Sequence, residues 1–500
     1  MGWKSVLVRP YAAWIARKVK AMSRNAVADQ HRIMKELVQK AANTSFGKDH
    51  NFSTISDYSD YKQHIPIRDY EQLRPYIERI VAGEADVVWP GKPKYFAKTS
   101  GTTSGVKYIP LTHDSMPNHM QSASHAVMSY VAETGNASMF DGKVMFLSGS
   151  PVLDKKGSIP TGRLSGIVNH EVPSWLQANQ VPTYETNCIE DWEEKLQQVA
   201  NETLSQDMRL IGGIPPWVQM YYEHILARTG QDTVGEIFKN LSLFVYGGVN
   251  FNPYKAKLTE LVGRDIDSVE LYPASEGFIA YQVSQRDEGM LLNSDSGIFY
   301  EFVPIEEAHA EQPTRLMLHE VELGKDYAII ISNNAGLWGY NLGDSVRFVS
   351  LDPYKLVVSG RVKHYISAFG EHVIGKEVEN ALMSVADQHH VKVVEFTVAP
   401  QVTPPEGGTP YHEWFVEFDE RPQDLQKFAA AVDQEMTRQN IYYNDLITGT
   451  ILQPLKVRVL QKDAFRMYMK TRGKLGGQNK VPRLSNDRKI ADSLQSFVVD

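Results

Sequence analysis

Residues 98–107 concentrate hydroxyl side chains and glycines in one short stretch that ends in a lysine. The stretch reads Lys98-Thr99-Ser100-Gly101-Thr102-Thr103-Ser104-Gly105-Val106-Lys107. Glycine permits backbone conformations in which successive N–H groups converge on an anion, while the hydroxyls and the lysine add donors and positive charge. The composition therefore fits a phosphate-binding loop, although it lacks the spacing of a Walker loop. A flexible surface loop rich in serine and glycine fits it equally well.

A second segment, Tyr272-Pro273-Ala274-Ser275-Glu276-Gly277, follows a short apolar stretch. An aromatic ring and a carboxylate in a loop at the end of a strand can stack a base and hold Mg²⁺. A serine-hydrolase elbow is a remote alternative, because Pro273 stands where the G-x-S-x-G motif needs glycine. An ordinary turn is the other alternative, and the hexapeptide alone does not decide between them.

Three further segments place charged side chains beside glycines. They are Tyr340-Asn341-Leu342-Gly343-Asp344, then residues 359–379 with Arg361 and Lys363, and residues 474–483 with Lys474 and Lys480. A carboxylate at a turn can accept hydrogen bonds from a ribose diol, and a cation at a hinge or on a mobile loop can reach a phosphate. The alternatives are a Gly-Asp turn between two strands, a charged linker and a solvated basic tail.

The elements that must position these segments suggest two domains. From residue 95 onward, apolar strands such as 143–148 and 241–246 alternate with helical segments, which predicts α/β architecture. Short strands separated by turns over residues 288–358 predict a β-rich subdomain that closes the large domain. A β-β-α-β order follows, which suits a small α+β domain. We therefore predict an α/β protein with a large N-terminal domain, residues 1–359, and a small mobile C-terminal domain, residues 360–500.

Bulk composition excludes several classes of protein. The 500 residues are 42% hydrophobic and 22% charged, as in soluble globular proteins, and no apolar stretch is long enough to cross a bilayer. A net charge of −8 argues against nucleic acid as a partner, and the single cysteine, Cys188, fits a reducing cytoplasm. We expect a cytoplasmic monomer without a nucleic-acid or membrane partner.

The first 28 residues carry six lysines and arginines and no acidic residue. This pattern fits a transit peptide or a membrane-surface helix. Helical spacing of apolar residues continues to about residue 42, which favours an amphipathic helix packed on the domain.

In their order along the chain, the segments resemble the motifs of the adenylate-forming superfamily of acyl-CoA synthetases, adenylation domains and luciferases. Within it, the chain is similar to the auxin-responsive Gretchen Hagen family of acyl-acid amido synthetases. The resemblance covers about residues 35 to 485 and is carried by residues 64–70, 75–80, 83–84, 94–110, 272–277 and 476–483. Asn341 stands where this family usually has arginine. The shorter length suggests a bacterial-type member.

The resemblance implies an ATP-dependent ligase that adenylates a carboxylic acid, releases pyrophosphate and transfers the acyl group to the amine of an amino acid. It implies ATP and Mg²⁺ as cofactors, and a small carboxylic acid and an amino acid as partners. The implied catalytic residues are Lys480, Glu276 and Lys107, with Glu276 as the metal ligand and Lys474 as an alternative to Lys480. The implied nucleotide-binding residues are Ser100, Gly101, Thr102, Thr103, Ser104, Gly247, Gly248, Tyr272, Ser275, Asp344 and Arg361.

The acid pocket is implied at Thr161, Arg163 and Trp217. A surface arginine and a core tryptophan are the alternatives for Arg163 and Trp217. The resemblance also implies that the C-terminal domain rotates about residues 361–363 between the two half-reactions.

Two other functions share many of these features. An acyl-CoA ligase has the same first step but a thiol acceptor, and the likeness of residues 94–110 argues against it. A catalytically silent homologue would keep the fold to bind a nucleotide or metabolite. None of Lys107, Glu276, Asp344 and Lys480 is needed for folding, so their presence favours an enzyme. The acid, the amine and the base that deprotonates the amine are not identified by the sequence.

Overall fold

The computed structural model describes residues 3–102, 105–172, 178–249, 251–308, 310–361, 365–366, 368–371, 373–471 and 481–499. The α-helices are α1 (Trp3–Ala41), α2 (Ser45–Asp49), α3 (Tyr58–His64), α4 (Tyr70–Val81), α5 (Met116–Thr134), α6 (Leu164–Glu171), α7 (Tyr184–Asn187), α8 (Trp192–Thr203), α9 (Pro215–Thr229), α10 (Val234–Ile237), α11 (Asn252–Val262), α12 (Gly375–Gln388), α13 (Leu425–Gln439), α14 (Ile441–Thr448), α15 (Ala464–Thr471) and α16 (Lys489–Leu494). Short 3₁₀ helices lie at Phe52–Thr54, Ser138–Asp141, Ile305–Glu307, Leu318–Glu320 and Gln495–Phe497.

The strands are β1 (Tyr95–Thr102), β2 (Gly105–Leu111), β3 (Lys143–Leu147), β4 (Asp154–Lys156), β5 (Ile159–Gly162), β6 (Gln180–Val181), β7 (Met208–Gly213), β8 (Leu243–Gly247), β9 (Asp267–Ala274), β10 (Gly277–Tyr281), β11 (Met290–Leu292), β12 (Ile298–Pro304), β13 (Asp326–Asn333), β14 (Tyr340–Leu351), β15 (Tyr354–Arg361), β16 (Tyr365–Ile366), β17 (Val373–Ile374), β18 (Lys392–Gln401), β19 (Tyr411–Glu420) and β20 (Lys456–Leu460).

An eleven-stranded mixed sheet organises the larger part of the chain, in the order β12-β13-β14-β15-β11-β10-β9-β8-β7-β3-β6. Strands β6, β3, β7, β8 and β9 are parallel to one another. In the rest of the sheet, each pair of neighbouring strands from β9 through β10, β11, β15, β14 and β13 to β12 is antiparallel. Strand β8, in the parallel part of the sheet, is apolar over its Leu-Phe-Val-Tyr run, because both faces of a parallel sheet are covered. The α/β prediction is confirmed.

The β-rich region predicted over residues 288–358 is present and extends the large sheet. Strands β11 to β15 pair with one another and join the parallel half through β10. Several of their side chains are fully buried in the core, including Phe299, Tyr300 and Phe302 on β12. The carboxyl ends of the parallel strands and the turns of the antiparallel strands therefore belong to one continuous sheet. A second sheet has the order β2-β1-β5-β4.

Helix α1 extends over 39 residues, Trp3–Ala41, and covers all but the last residue of the helix predicted over residues 8–42. Ala12, Ile15 and Val19 are buried and share a hydrophobic core with residues of α5, such as Ala126 and Val131. The expectation that one face of this helix packs on the domain agrees with these contacts. Among the described residues, no helix is both long enough and apolar enough to cross a membrane.

The chain divides into two compact units. One contains residues 1–99, 108–189 and 195–362, and the other contains residues 100–107, 190–194 and 363–500. In the second unit, β18 is antiparallel to β19, β19 is parallel to β20, and α13 lies between β19 and β20 in sequence. This is the β-β-α-β order that the sequence predicts. The predicted boundary between two mobile domains at residues 359 and 360 stays a prediction.

Candidate active site

The carboxyl ends of β8 and β9 form the centre of the candidate site. Gly247 ends β8 opposite Leu271 of β9, and a Cβ at residue 247 would lie 2.4 Å from the Leu271 carbonyl oxygen. A side chain there would collide with the neighbouring strand, so glycine is required. The next residue, Gly248, has a φ of +83°, and a Cβ would meet no atom within 4 Å. The backbone thus turns sharply beside open space at the edge where parallel α/β sheets bind ligands.

A two-residue turn holds Ser275 and Glu276 between β9 and β10, since Ala274 and Gly277 are paired across it. Glu276 is only 8% exposed. Its carbonyl oxygen accepts a hydrogen bond of 2.6 Å from the Asn333 amide. These contacts hold the turn in place without using the carboxylate.

Helix α5 clamps β10 immediately after this turn. The Asn118 side chain accepts a hydrogen bond from the Phe278 N–H at 2.7 Å and donates one to the Phe278 carbonyl at 3.3 Å. The Asn293 amide donates to the same carbonyl at 3.0 Å and to the Ser122 hydroxyl at 2.8 Å. Each of these side chains is buried, so the position of the turn is set by several satisfied hydrogen bonds.

Two tyrosine-to-carboxylate hydrogen bonds join the turn segment to β14. The Tyr272 hydroxyl donates to Asp344 Oδ2 at 2.6 Å, and the Tyr340 hydroxyl donates to Glu276 Oε1 at 3.2 Å. Each segment therefore supplies one tyrosine and one carboxylate, and each tyrosine holds the carboxylate of the other segment. The two motifs, about 70 residues apart in sequence, form one site with two oriented carboxylates.

The Gly-Asp turn of β14 is shaped by Asn341. Its side-chain oxygen accepts a hydrogen bond of 2.9 Å from the Gly343 N–H, and Gly343 has a φ of +85°. This local bond stabilises the left-handed glycine that precedes Asp344. The residue that departs from the family pattern thus has a role in the turn. In sheet register, Asp344 lies opposite Arg361 of β15, whose side chain is outside the described part of the chain.

Burial dominates the electrostatics of this region. It raises the pKa of the Tyr340 hydroxyl well above its usual value, and the Glu276 carboxylate raises it further. Burial also raises the pKa of Glu270 on β9, and with Glu270 it raises that of Tyr246 on β8. The tyrosines therefore stay protonated and act as donors at neutral pH. Beside Gly247, the rings of Tyr246 and Phe251 stack on each other with their centroids 4.2 Å apart.

The predicted phosphate loop is described only in part. Ser100, Gly101 and Thr102 belong to β1, although their side chains lie outside the described part, and Thr103 and Ser104 lie outside it entirely. Lys107 lies on β2 and is half-buried. Lys474, Lys480 and residues 362 and 363 of the predicted hinge also fall outside the described residues.

The three residues predicted for the acid pocket have different environments. The Thr161 hydroxyl is buried and donates to the Ile159 carbonyl at 3.1 Å. Arg163 precedes α6 and packs against Gly149, where a Cβ would lie 3.0 Å from its Cδ. Trp217 is buried in the first turn of α9, which follows β7. Only Arg163 combines partial exposure with a charge. Their part in acid binding stays a prediction.

Comparison with known proteins identifies the family. The GH3 family N-terminal domain matches residues 15–164, the central domain matches residues 291–361, and the C-terminal domain matches residues 376–489.

The chain belongs to the GH3 family.

GH3 relatives cover nearly the whole chain. The indole-3-acetic acid-amido synthetase GH3.3 of Arabidopsis thaliana is 23% identical over 97% of this chain and 93% of its own length. The jasmonoyl-L-amino acid synthetase GH3.5 of Oryza sativa subsp. japonica is 23% identical over 93% of both chains. The structure of AtGH3.15 acyl acid amido synthetase in complex with 2,4-DB superposes with a TM-score of 0.61 at 15% identity, covering 97% of this chain and 96% of that one.

These findings confirm the predicted family and the predicted fold. The relatives are amido synthetases by name, so an amide-forming ligase is confirmed as the class of enzyme, and membership of an adenylate-forming ligase family implies the use of ATP.

Sequence reasoning missed the residues that hold the carboxylates of this GH3 chain. The sequence singles out Tyr340 only as the start of the Gly-Asp segment, and it does not single out Asn118, Asn333 or Phe251. Tyr272, which the resemblance implies as a nucleotide-binding residue, donates its hydroxyl hydrogen bond to Asp344, and its contact with a ligand stays a prediction. The available signal for Tyr340 is its place four residues before Asp344. For the asparagines, the sequence contains no signal beyond polar residues within apolar elements.

The carboxylate environment fits a bound Mg²⁺. Glu276 Oε1 accepts the Tyr340 hydrogen bond, and within the described residues Oε2 accepts none. One carboxylate oxygen is thus left for a cation. Mg²⁺ is commonly bound by one or two carboxylates together with substrate phosphates and water, so a cluster of several acidic side chains is not required.

Proposed function

We propose that this chain activates a small carboxylic acid with ATP and joins it to the amino group of an amino acid. The observation that carries the proposal is the reciprocal pairing of Tyr272 with Asp344 and of Tyr340 with Glu276. This pairing holds two carboxylates at the same sheet edge, where one would bind a ribose diol and the other a cation. The named activities of the GH3 relatives support the amide product.

The nucleotide would be held by groups from several elements. We propose that Asp344 accepts hydrogen bonds from the ribose hydroxyls, with Arg361 assisting, and that the residues of the loop at 100–104 and Lys107 bind the terminal phosphates. Ser275 would lie near the α-phosphate. Gly248 borders open space, and we propose that it and Gly247 lie at the adenine edge, near the stacked rings of Tyr246 and Phe251.

Glu276 would hold Mg²⁺, which neutralises phosphate charge when it is bound. The protein groups that orient this ligand are the Tyr340 hydroxyl and the Asn333 amide. We propose Lys480, with Lys474 as the alternative, as the cation that stabilises charge during adenylation.

The two half-reactions follow from the chemistry of a mixed anhydride. In the first, a carboxylate oxygen attacks the α-phosphorus of ATP, the bond to the β-phosphate oxygen breaks, and pyrophosphate leaves. In the second, a neutral amine attacks the acyl carbon, the bond to the AMP oxygen breaks, and one proton is released. We propose that the C-terminal domain reorients about residues 361–363 between these steps.

The acid would lie near the carboxyl ends of β3 and β7, where Arg163 packs beside Gly149 and Trp217 follows β7. Together with Thr161, these residues remain our proposal for the acid pocket. We further propose that the chain acts as a cytoplasmic monomer on small molecules and does not bind nucleic acid, in keeping with its net charge of −8.

Product analysis tests the acceptor directly. The full chain is incubated with ATP, Mg²⁺ and a panel of aryl, indolyl and fatty acids, with either a mixture of amino acids or coenzyme A, and products are identified by mass spectrometry. We expect an N-acyl amino acid formed in equal amount with AMP. A thioester with coenzyme A and no amide would identify an acyl-CoA ligase. ATP binding without either product would identify a silent homologue.

A further inference from the structure

Helix α1 has a second, outward face that differs from the face packed on the domain. Ala12, Ile15 and Val19 are buried. About a quarter turn around the helix from these buried residues, Leu7, Tyr11, Trp14 and Lys18 recur at intervals of four, three and four residues, which places them in one stripe. Leu7 is 66% exposed, and Tyr11 and Trp14 are each nearly half exposed.

This stripe is an unusual concentration of apolar surface. Of the thirteen large hydrophobic side chains that are exposed among the described residues, three belong to this stripe, namely Leu7, Tyr11 and Trp14. The rings of Tyr11 and Trp14 are 5.7 Å apart, and Lys18 Nζ lies 4.1 Å from the centre of the Trp14 ring. Contiguous exposed apolar side chains of this kind mark an interaction surface, because leaving them in water is unfavourable.

The charge around the stripe indicates the partner. Residues 1–28 contain six lysines and arginines and no acidic residue, within a chain of net charge −8. Arg9, Arg17, Lys20 and Arg24 are all exposed. Tryptophan, tyrosine and leucine flanked by cations are typical of helices that lie in the headgroup region of a membrane. An anionic surface complements this local charge.

We propose that the outward face of α1 docks on an anionic phospholipid surface, with the helix lying along the membrane. The Leu7–Tyr11–Trp14 stripe would enter the headgroup layer, and the flanking cations would contact lipid phosphates. This inference is independent of the proposed catalytic function. It also revises our expectation from the sequence that the chain has no membrane partner.

Vesicle flotation of the full chain tests this proposal. Neutral phosphatidylcholine vesicles are compared with vesicles containing 30% phosphatidylglycerol, a proportion chosen as about that of an anionic bilayer. We expect binding to the anionic vesicles that weakens with added salt, and little binding to neutral ones. A Leu7→Ser/Trp14→Ser variant should lose at least about tenfold in vesicle affinity, and each of Arg17→Glu and Arg24→Glu about fivefold or more.

Matched controls separate docking from general effects. Leu323→Ser removes a side chain that is 61% exposed elsewhere, and Lys255→Glu reverses an exposed charge on α11, so both should bind like the wild type. Thermal melts establish that every variant is folded. Three results would overturn the proposal: no binding to anionic vesicles, equal binding to neutral vesicles, or unchanged binding by the Leu7→Ser/Trp14→Ser variant. Self-association that depends on Trp14 without vesicle binding would instead assign the face to a second copy of the chain.

Discussion

Removal of the Tyr272 hydroxyl should weaken ATP binding, since this hydroxyl orients the carboxylate that we assign to the ribose. The hydrogen bond to Asp344 Oδ2 is 2.6 Å long, and both side chains are buried. A hydrogen bond to a charged group contributes about 1.5 to 3 kcal/mol. In Tyr272→Phe this free energy is lost, partly from the stability of the fold and partly from the binding of ATP.

If about half of that free energy, about 0.75 to 1.5 kcal/mol, is lost from binding, the KM for ATP rises about three- to twelvefold, because each 1.4 kcal/mol corresponds to about a factor of ten. The ribose does not react, so kcat should change little. The assay is pyrophosphate release against ATP concentration, with the acid held at saturation. A chemical denaturation curve for the same variant measures the part that is lost from stability.

Tyr281→Phe is the matched control for this variant. Tyr281 is fully buried on the adjacent strand β10, and its hydroxyl has no hydrogen-bond partner among the described residues. Its removal should leave the KM for ATP unchanged and the stability equal or slightly greater. An unchanged KM in Tyr272→Phe would refute the assignment of Asp344 to the ribose. A large fall in kcat with constant KM would place Tyr272 at the reacting atoms instead.

Three further predictions concern stability. Burial raises the pKa of Glu377 to about 7, so relative to Glu377→Gln the wild type should lose about 3 kcal/mol of unfolding free energy as the pH rises from about 4.5 to 7, measured by urea titration. Lys195 donates hydrogen bonds to two main-chain carbonyls, and burial lowers its pKa to about 8. Relative to Lys195→Met, the wild type should therefore gain unfolding free energy between about pH 8 and 10.5. Parallel plots of unfolding free energy against pH for the two proteins would contradict this. Arg315→Met leaves the fully buried Glu301 carboxylate without its cation and should cost about 3 to 5 kcal/mol, whereas breaking the exposed pair of Arg347 should cost less than about 1 kcal/mol.

The architecture could be predicted because its signals are local. The apolar run of β8 and the helical spacing of α1 each reflect the burial of a single element, and the structure contains both. The Ser275–Glu276 turn and the Gly343–Asp344 turn were likewise visible as short combinations of glycine, hydroxyl and carboxylate residues. Their order along the chain carried the family resemblance, which the comparisons confirm.

The contacts between these segments could not be predicted, because they depend on the register of distant strands. Tyr272 meets Asp344 across 72 residues, and Tyr340 meets Glu276 across 64. Nothing in the local sequence specifies which tyrosine points at which carboxylate. For the same reason, the sequence does not predict that β11 to β15 join the sheet of the parallel strands. The pattern of a short β-strand does not indicate which sheet edge the strand pairs with.

The most direct test of the account is acid-dependent exchange of radiolabelled pyrophosphate into ATP. The wild-type chain is compared with Glu276→Ala across the panel of aryl, indolyl and fatty acids, and Tyr281→Phe serves as the folded control. We predict pyrophosphate–ATP exchange that requires an acid, persists in Tyr281→Phe and is lost in Glu276→Ala. Exchange that survives in Glu276→Ala, or its absence with every acid when ATP and Mg²⁺ bind tightly, would contradict it.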